Sequence, residues 1–199
     1  MQALKCVLVG DGNVGKTSLM KTYKEKCFPE TNIPTVFDSI KVTMQMDENN
    51  YDLTVYDTAG QEAYDRLRPL TYPQTDVFLM CFSLVSRASY ENVRLKWLPE
   101  LKHHCRDVPI VLVGTKLDMR DENSTKDDAL MNGDRDENIA GKTISSQQGD
   151  SLKKDVGARF YVECSAKTQT STRDVFESAI RAVITPSKRK RREFGCALV

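Results

Sequence analysis

Gly10-Asp11-Gly12-Asn13-Val14-Gly15-Lys16-Thr17 follows directly on the apolar run Val7-Leu8-Val9 and puts three glycines into one short loop. A glycine in ordered structure costs roughly 0.5–1 kcal/mol relative to alanine, so three together need a reason. Without side chains, successive backbone N–H groups can curl around an anion, and a helix that starts where the loop ends adds the positive end of its dipole. The spacing Gly-x4-Gly-Lys-Thr places Lys16 to reach the β- and γ-phosphates of a nucleotide and Thr17 to put a hydroxyl on Mg²⁺. The bland alternative is a glycine turn ahead of a helix, and the strand-loop-helix context weighs against it. The loop alone leaves open which nucleotide is bound and whether it is hydrolysed.

Outward from this loop, apolar segments alternate with helix-like ones. Residues 5–9, 54–56, 77–85, 109–115 and 159–164 read as short buried strands rich in β-branched and aromatic residues. Helices are expected near 16–26, 88–104, 146–156 and 172–184. Such alternation predicts a mostly parallel sheet with helices on both faces. Ile40, Val42, Met44 and Met46 alternate with polar residues, and Tyr51, Leu53 and Val55 follow the polar run Asp47-Glu48-Asn49-Asn50. That pattern is a hairpin with its turn in the polar run, giving the sheet one antiparallel edge strand.

Thr115-Lys116-Leu117-Asp118 sits at the C-terminal end of an expected strand, where open α/β sheets bind their ligands. The Asp118 carboxylate can accept two hydrogen bonds, from N1–H and the exocyclic amino group of guanine. Adenine presents an acceptor in place of the first donor and would leave a buried carboxylate unpaired, at a cost of about 1–3 kcal/mol. Guanine is therefore favoured, a reading that gains weight from Ser165-Ala166-Lys167 behind the last strand. Asp57-Thr58-Ala59-Gly60-Gln61-Glu62 also follows a strand. Asp57 suits a Mg²⁺ shell, Gly60 can offer its N–H to the γ-phosphate, and Gln61 can orient an attacking water. Thr35, in the unpatterned stretch Ile33-Pro34-Thr35, could close over the metal.

The chain of 199 residues, 40% apolar and 29% charged, is long enough for one well-filled core and short for two. Its net charge of +1 gives the body no general pull toward nucleic acid. Cys6, Cys27, Cys81, Cys105, Cys164 and Cys196 are scattered without a CxxC pair and read as reduced cytosolic thiols. No apolar run approaches the length of a membrane span. His103-His104 reads as helix surface. Asp134-x-Asp136-x-Asn138 fails as a calcium loop, because Ile139 stands where glycine is needed and Ser145 where glutamate is needed.

Taken together, these motifs make the sequence resemble a Rho-family small GTPase of the Ras superfamily, closest to Rac. The resemblance runs over nearly the whole chain. It is carried by Gly10–Leu19, Phe28-Pro29, Ile33–Asp38, Asp57–Ser86, Lys102–Cys105, Val113–Asp121 and Glu163–Lys167. It implies an α/β fold of the P-loop NTPase G-domain type: a six-stranded, mostly parallel sheet with one antiparallel edge strand and five helices. The domain would span residues 1–184, with a Rho-type insert at about 122–143 and a tail at 185–199. The implied activity is a monomeric switch cycling between GTP and GDP with Mg²⁺, in which residues 30–38 and 60–72 change order with the γ-phosphate.

On the same resemblance, the nucleotide-binding set is Gly12, Asn13, Val14, Gly15, Lys16, Thr17, Ser18, Phe28, Thr35, Ala59, Gly60, Thr115, Lys116, Asp118, Ser165, Ala166 and Lys167. Phe28 packs on the nucleotide and the Ala166 N–H meets guanine O6. Thr17, Thr35 and Asp57 hold the metal. Gln61, Lys16, Thr35 and Gly12 serve catalysis, Gly12 because any side chain there would crowd Gln61 and the incoming arginine. Val36, Phe37 and Asp38 face effectors. No arginine in the chain is fixed at the developing charge, so an activating protein would insert one. Exchange factors, a dissociation inhibitor and GTP-dependent effectors complete the implied partners, and actin cytoskeleton signalling the implied setting.

Several residues depart from the family's habit: Asn32 for tyrosine, Asn13 for alanine, Ser39 for asparagine, Tyr56 for tryptophan or phenylalanine, and Lys167 for leucine. The insert is longer than usual and acidic, with seven acids and two bases between 121 and 137. The tail ends the last helix at Pro186, runs through five bases at 188–192 and closes on Cys196-Ala197-Leu198-Val199. That ending has the C-a-a-X form for prenylation at Cys196, and the bases supply the second signal that one lipid chain needs for stable residence. The expected location is the cytoplasmic face of the plasma membrane or another membrane, with a cytosolic pool. Two competing readings stand beside the switch: a GTP-locked scaffold that never hydrolyses, opposed by Gly12 with Gln61, and a P-loop ATPase or kinase, opposed by Asp118.

Overall fold

The computed structural model describes residues 2–29, 37–121 and 143–185. Six strands, β1 (Gln2–Val9), β2 (Phe37–Met46), β3 (Asn49–Thr58), β4 (Val77–Ser83), β5 (Ile110–Thr115) and β6 (Phe160–Glu163), form one sheet in the order β2-β3-β1-β4-β5-β6. Every pairing is parallel except β2 with β3. The expected architecture is therefore present.

Side-chain alternation explains why both faces carry helices. Along β1, Cys6 and Leu8 point into one core and Val7 and Val9 into the other. The first core is closed by α1 (Lys16–Glu25) and α5 (Thr172–Ile184), through Leu19, Met20, Phe176 and Ile180. The second is closed by α2 (Arg87–Asn92), α3 (Leu98–His104) and α4 (Ser146–Val156), through Tyr90, Trp97, Leu101, Leu152 and Val156. Strand β4 is buried at every residue, as a central strand covered on both faces must be. In β2 only Ile40, Val42, Met44 and Met46 are buried, the alternation of an edge strand with one wet face.

Two expectations need correction. The hairpin turn is shorter than the polar run suggests: Asn49 and Asn50 belong to β3, and only Asp47 and Glu48 connect the strands. Both have positive φ, 48° and 64°, the backbone of a tight turn that matches strand twist. The helix expected over 88–104 is one rod interrupted by a π turn at Val93–Trp97, which joins α2 to α3. The expected insert at about 122–143, with its calcium-like residues, lies outside the described residues save Thr143, and so does the tail with Cys196. Among the described residues, no helix is long and apolar enough to cross a membrane.

Gly149 in α4 marks the closest approach of helix to sheet. A Cβ built there would sit 2.1 Å from Cζ of Tyr161. Alanine is the better helix former by roughly 1 kcal/mol, but the clash with a ring held in the core outweighs that gain. Gly149→Ala should lower stability by about 1–3 kcal/mol, measured as a shift of the urea midpoint at constant slope.

Candidate functional site

The phosphate-type loop, Asp57–Gln61, Thr115–Asp118 and Ser165–Lys167 lie at the C-terminal ends of the parallel strands β1, β3, β5 and β6 and so meet along one edge of the sheet. The loop after β1 turns into α1 through Gly15, whose φ is 105°, and no side chain caps that helix start. Ser86 and Ser145 cap α2 and α4 with their hydroxyls, whereas α3 and α5 start, like α1, without a side-chain cap. The first N–H groups of α1 face the loop's concavity, the arrangement that attracts an anion. Gly10 has a φ of 141°, and a Cβ there would lie 2.1 Å from the Cys81 carbonyl oxygen, so the loop rests directly on β4.

Lys16 is 5% exposed, and its ammonium donates to the carbonyls of Gly10 and Asp11, each at 2.7 Å. Burial lowers its pKa, against the pull of Asp57. Asp57 is fully buried, and its Oδ2 accepts from the Thr17 hydroxyl at 2.5 Å. A hydroxyl and a carboxylate side by side at the loop's mouth are the hard oxygen donors that suit Mg²⁺, and the pair fits that ion. Ala59 is buried behind them, and Gly60 lies flat on the loop: a Cβ there would be 2.3 Å from the Gly10 carbonyl oxygen and 2.5 Å from the Gly12 nitrogen. Gln61 is exposed, and its Cγ is 3.6 Å from the Cβ position of Gly12. That is ordinary contact, so a methyl at Gly12 would touch Gln61 without a clash.

Around the corner a cavity of about 310 Å³ is lined by Asn13, Gly15, Ser18, Phe28, Thr115, Lys116, Asp118, Met119, Ala166 and Lys167, among others. Asn13 and Lys116 adopt left-handed backbone, with φ near 61° at both. Burial lowers the Lys116 pKa, while Asp118 opposes the shift. Asp118 Oδ1 accepts from the Ser165 hydroxyl at 2.6 Å, which joins the two loops that would read a base. Phe28, 41% exposed, is the aromatic wall. Thr115 also lines the cavity, but its hydroxyl is shared between the carbonyls of Val14 at 2.5 Å and Phe82 at 2.9 Å. Val14 is buried beneath the loop and contributes that carbonyl.

Phe37 and Asp38 begin β2; the Phe37 ring is exposed and lies 5.7 Å from the Tyr56 ring. Thr35 and Val36, with Asn32, lie outside the described residues. His104 packs against Tyr72, with ring centroids 5.8 Å apart.

Sequence reasoning missed the supports of this site. Asp11 is held by Trp97 Nε1 at 2.8 Å and Asn92 Nδ2 at 2.7 Å, from either end of the π turn. Arg68, its side chain fully buried, donates to both oxygens of Glu100 at 2.9 and 2.7 Å, to Asp65 at 2.8 Å and to the Ala59 carbonyl at 3.0 Å. Its guanidinium lies 4.5 Å from the Trp97 ring centre, and the Tyr72 hydroxyl also donates to Glu100. Burial opposes the Arg68 charge, but Glu100 and Asp65 raise its pKa regardless. A lone tryptophan one turn before a glutamate was the only available signal.

The model of one protein family, described as the Ras family, matches residues 5–185.

The Asp11 contacts predict a measurable coupling. Trp97→Phe keeps an aromatic ring but removes the pyrrole N–H together with some buried volume, so the cost should be at least about 1–3 kcal/mol, the carboxylate losing one of its two donors. Combined with Asn92→Leu in a double-mutant cycle by urea unfolding, the losses should be non-additive by at least about 0.5 kcal/mol.

Proposed function

The chain belongs to the Ras family, and on that premise we propose that it is a Rho/Rac-like switch. Its Ras-family GTPase domain is a GTP-binding module that uses GTP, GDP and Mg²⁺, as the family generally does. The finer reading is slow, partner-stimulated hydrolysis of GTP, with effectors engaged through residues 30–38 and 60–72 in the GTP-bound form. The observation that carries it is the convergence of Lys16, Thr17, Asp57 and Gly60 on one loop mouth, with Gln61 beside Gly12.

In this mechanism the ammonium of Lys16 and the open N–H groups of α1 bind the β- and γ-phosphates. Thr17 and Asp57, joined by Thr35, hold Mg²⁺, which when bound neutralises phosphate charge. Gly60, pressed on the phosphate loop, offers its N–H to the last phosphate, and loss of that group releases the segment beyond it. Gln61, exposed and unconstrained, orients water. The nearby Arg68 is committed to Glu100, Asp65 and Ala59 and is not positioned to neutralise the transition state. An arginine from an activating protein fills that role. Exchange factors, a dissociation inhibitor and effectors are the other partners, with Val36, Phe37 and Asp38 on the effector face. The Cys196 ending and basic tail support prenylation and residence on the cytoplasmic face of a membrane, with a cytosolic pool and a role in actin cytoskeleton signalling.

Two measurements test this reading. In single-turnover hydrolysis, a Rho-family activating protein should raise the rate by about 10³–10⁵-fold, and an unresponsive rate would favour a GTP-locked scaffold instead. Cys196→Ser should move the tagged full chain from membranes to the soluble fraction on cell fractionation; continued sedimentation with membranes would remove the lipid-anchor assignment.

A further inference from the structure

The proposed base site draws on two separate strand ends. Lys116 and Asp118 follow β5, whereas Ser165, Ala166 and Lys167 follow β6. Backbone bonds tie these ends together, from Leu117 N–H to the Cys164 carbonyl at 3.1 Å and from Cys164 N–H to the Gly114 carbonyl at 2.8 Å. Two residues beyond Asp118 stands Arg120, and two before Ser165 stands Glu163. Arg120 Nη1 and Nη2 donate to Glu163 Oε1 and Oε2 at 2.8 and 2.6 Å, and each side chain is 15% exposed.

The rest of the cluster completes the carboxylate. Tyr161 donates to Oε1 at 2.7 Å and Ser146 to Oε2 at 3.0 Å, while Arg120 also donates to the Ile144 carbonyl at 3.2 Å. Burial by itself would raise the Glu163 pKa, but the bonds from Arg120, Tyr161 and Ser146 outweigh it and hold the group below the usual range. The pair is thus ionised at neutral pH. Neither residue lines the cavity.

A two-pronged ion pair fixes angle as well as distance, which a single hydrogen bond does not. We propose that the Arg120–Glu163 pair is a positioning device for guanine recognition, bolting the Asp118 segment to the Ser165–Lys167 segment at the separation the base requires. The inference rests on the guanine-nucleotide reading above. Its physical content is selective: hydrogen bonds from N1–H and the amino group must meet Asp118 together, and they weaken steeply with misalignment. Contacts to phosphate come from the loop after β1 and do not depend on this bolt.

The test uses the full chain and two probes, fluorescent GDP and fluorescent IDP, the latter lacking the exocyclic amino group that Asp118 would accept from. Wild type should hold GDP about tenfold or more tighter than IDP. Arg120→Lys keeps the charge and loses the fork. Glu163→Gln keeps the shape and loses the charge. In each, GDP should weaken by about tenfold and IDP by much less, so that discrimination falls at least about threefold. Should Glu163→Gln fail to give a cooperative melt, Arg120→Lys decides alone. Discrimination retained in the variants, whether both probes weaken alike or neither changes, overturns the inference and leaves the pair as structural cement. Wild type with no preference between the probes instead overturns the guanine reading itself.

Discussion

A loop built to offer bare N–H groups to an anion has no side chains with which to hold its own shape. The surrounding structure must hold it. Beneath, the loop sits on the Cys81 carbonyl, in contact too close for any residue but glycine at position 10. From the side, Thr115 grips the Val14 carbonyl, and from the helical rod Trp97 and Asn92 grip Asp11. From within, Lys16 spans the Gly10 and Asp11 carbonyls with the charge that the phosphates need. Each tie reaches a different element, so the loop's geometry is distributed over β4, β5 and the rod over 87–104. That distribution is what lets a glycine-rich segment be rigid despite its intrinsic freedom.

The same rod anchors a buried ion pair that is costly to desolvate. Burying Arg68 strips it of water, a penalty that Coulomb attraction offsets only when geometry is good and every donor is used. Here Glu100, Asp65 and the Ala59 carbonyl use the donors, and the Trp97 face covers the plane. A hydrophobic substitute of equal volume could be as stable, so stability is a weak reason for such a cluster. Its placement gives a better one. Through Ala59 it holds the residue next to Gly60, and through Trp97 it touches the residue that holds Asp11. The two walls of the phosphate site are thereby referred to one helix, and the π turn at Val93–Trp97 presents both Asn92 and Trp97 to the same carboxylate. Such turns recur at functional sites because the extra residue re-aims the side chains on either side of it.

The features legible in the sequence and those hidden from it divide along physical lines. The sheet was legible because its strands are apolar and short, and the edge strand because Ile40, Val42, Met44 and Met46 alternate. The phosphate loop and Asp118 were legible because their chemistry needs particular residues at particular spacing. The hairpin turn was misplaced because Asn49 and Asn50 are poor strand formers by propensity, and pairing with Gln45 and Met46 overrides it. The approach of Gln61 to Gly12 was hidden, since a distance of 3.6 Å is not encoded in spacing. Arg68, Glu100, Arg120 and Glu163 were invisible for another reason. Charged residues in isolation read as surface, and only the fold reveals that their partners lie 32 and 43 positions away.

Distance in sequence also decides how independently the two halves of the site can change. On the proposed reading, phosphate contacts would depend on β1, β3 and the rod behind them, whereas the cavity proposed for the base depends on β5 and β6, at the far side of β4 in the strand order. Thr115 is where the halves meet, its hydroxyl on the phosphate loop and its backbone leading into Lys116 and Asp118. A perturbation at Glu163 therefore reaches the base first and the phosphates only through Thr115, while one at Glu100 does the reverse. On the proposed reading, guanine identity would be read by groups tied to the ends of β5 and β6, and the last phosphate by groups such as Gly60 that lean on the loop. A switch needs that division, because a change in the second must not release the first.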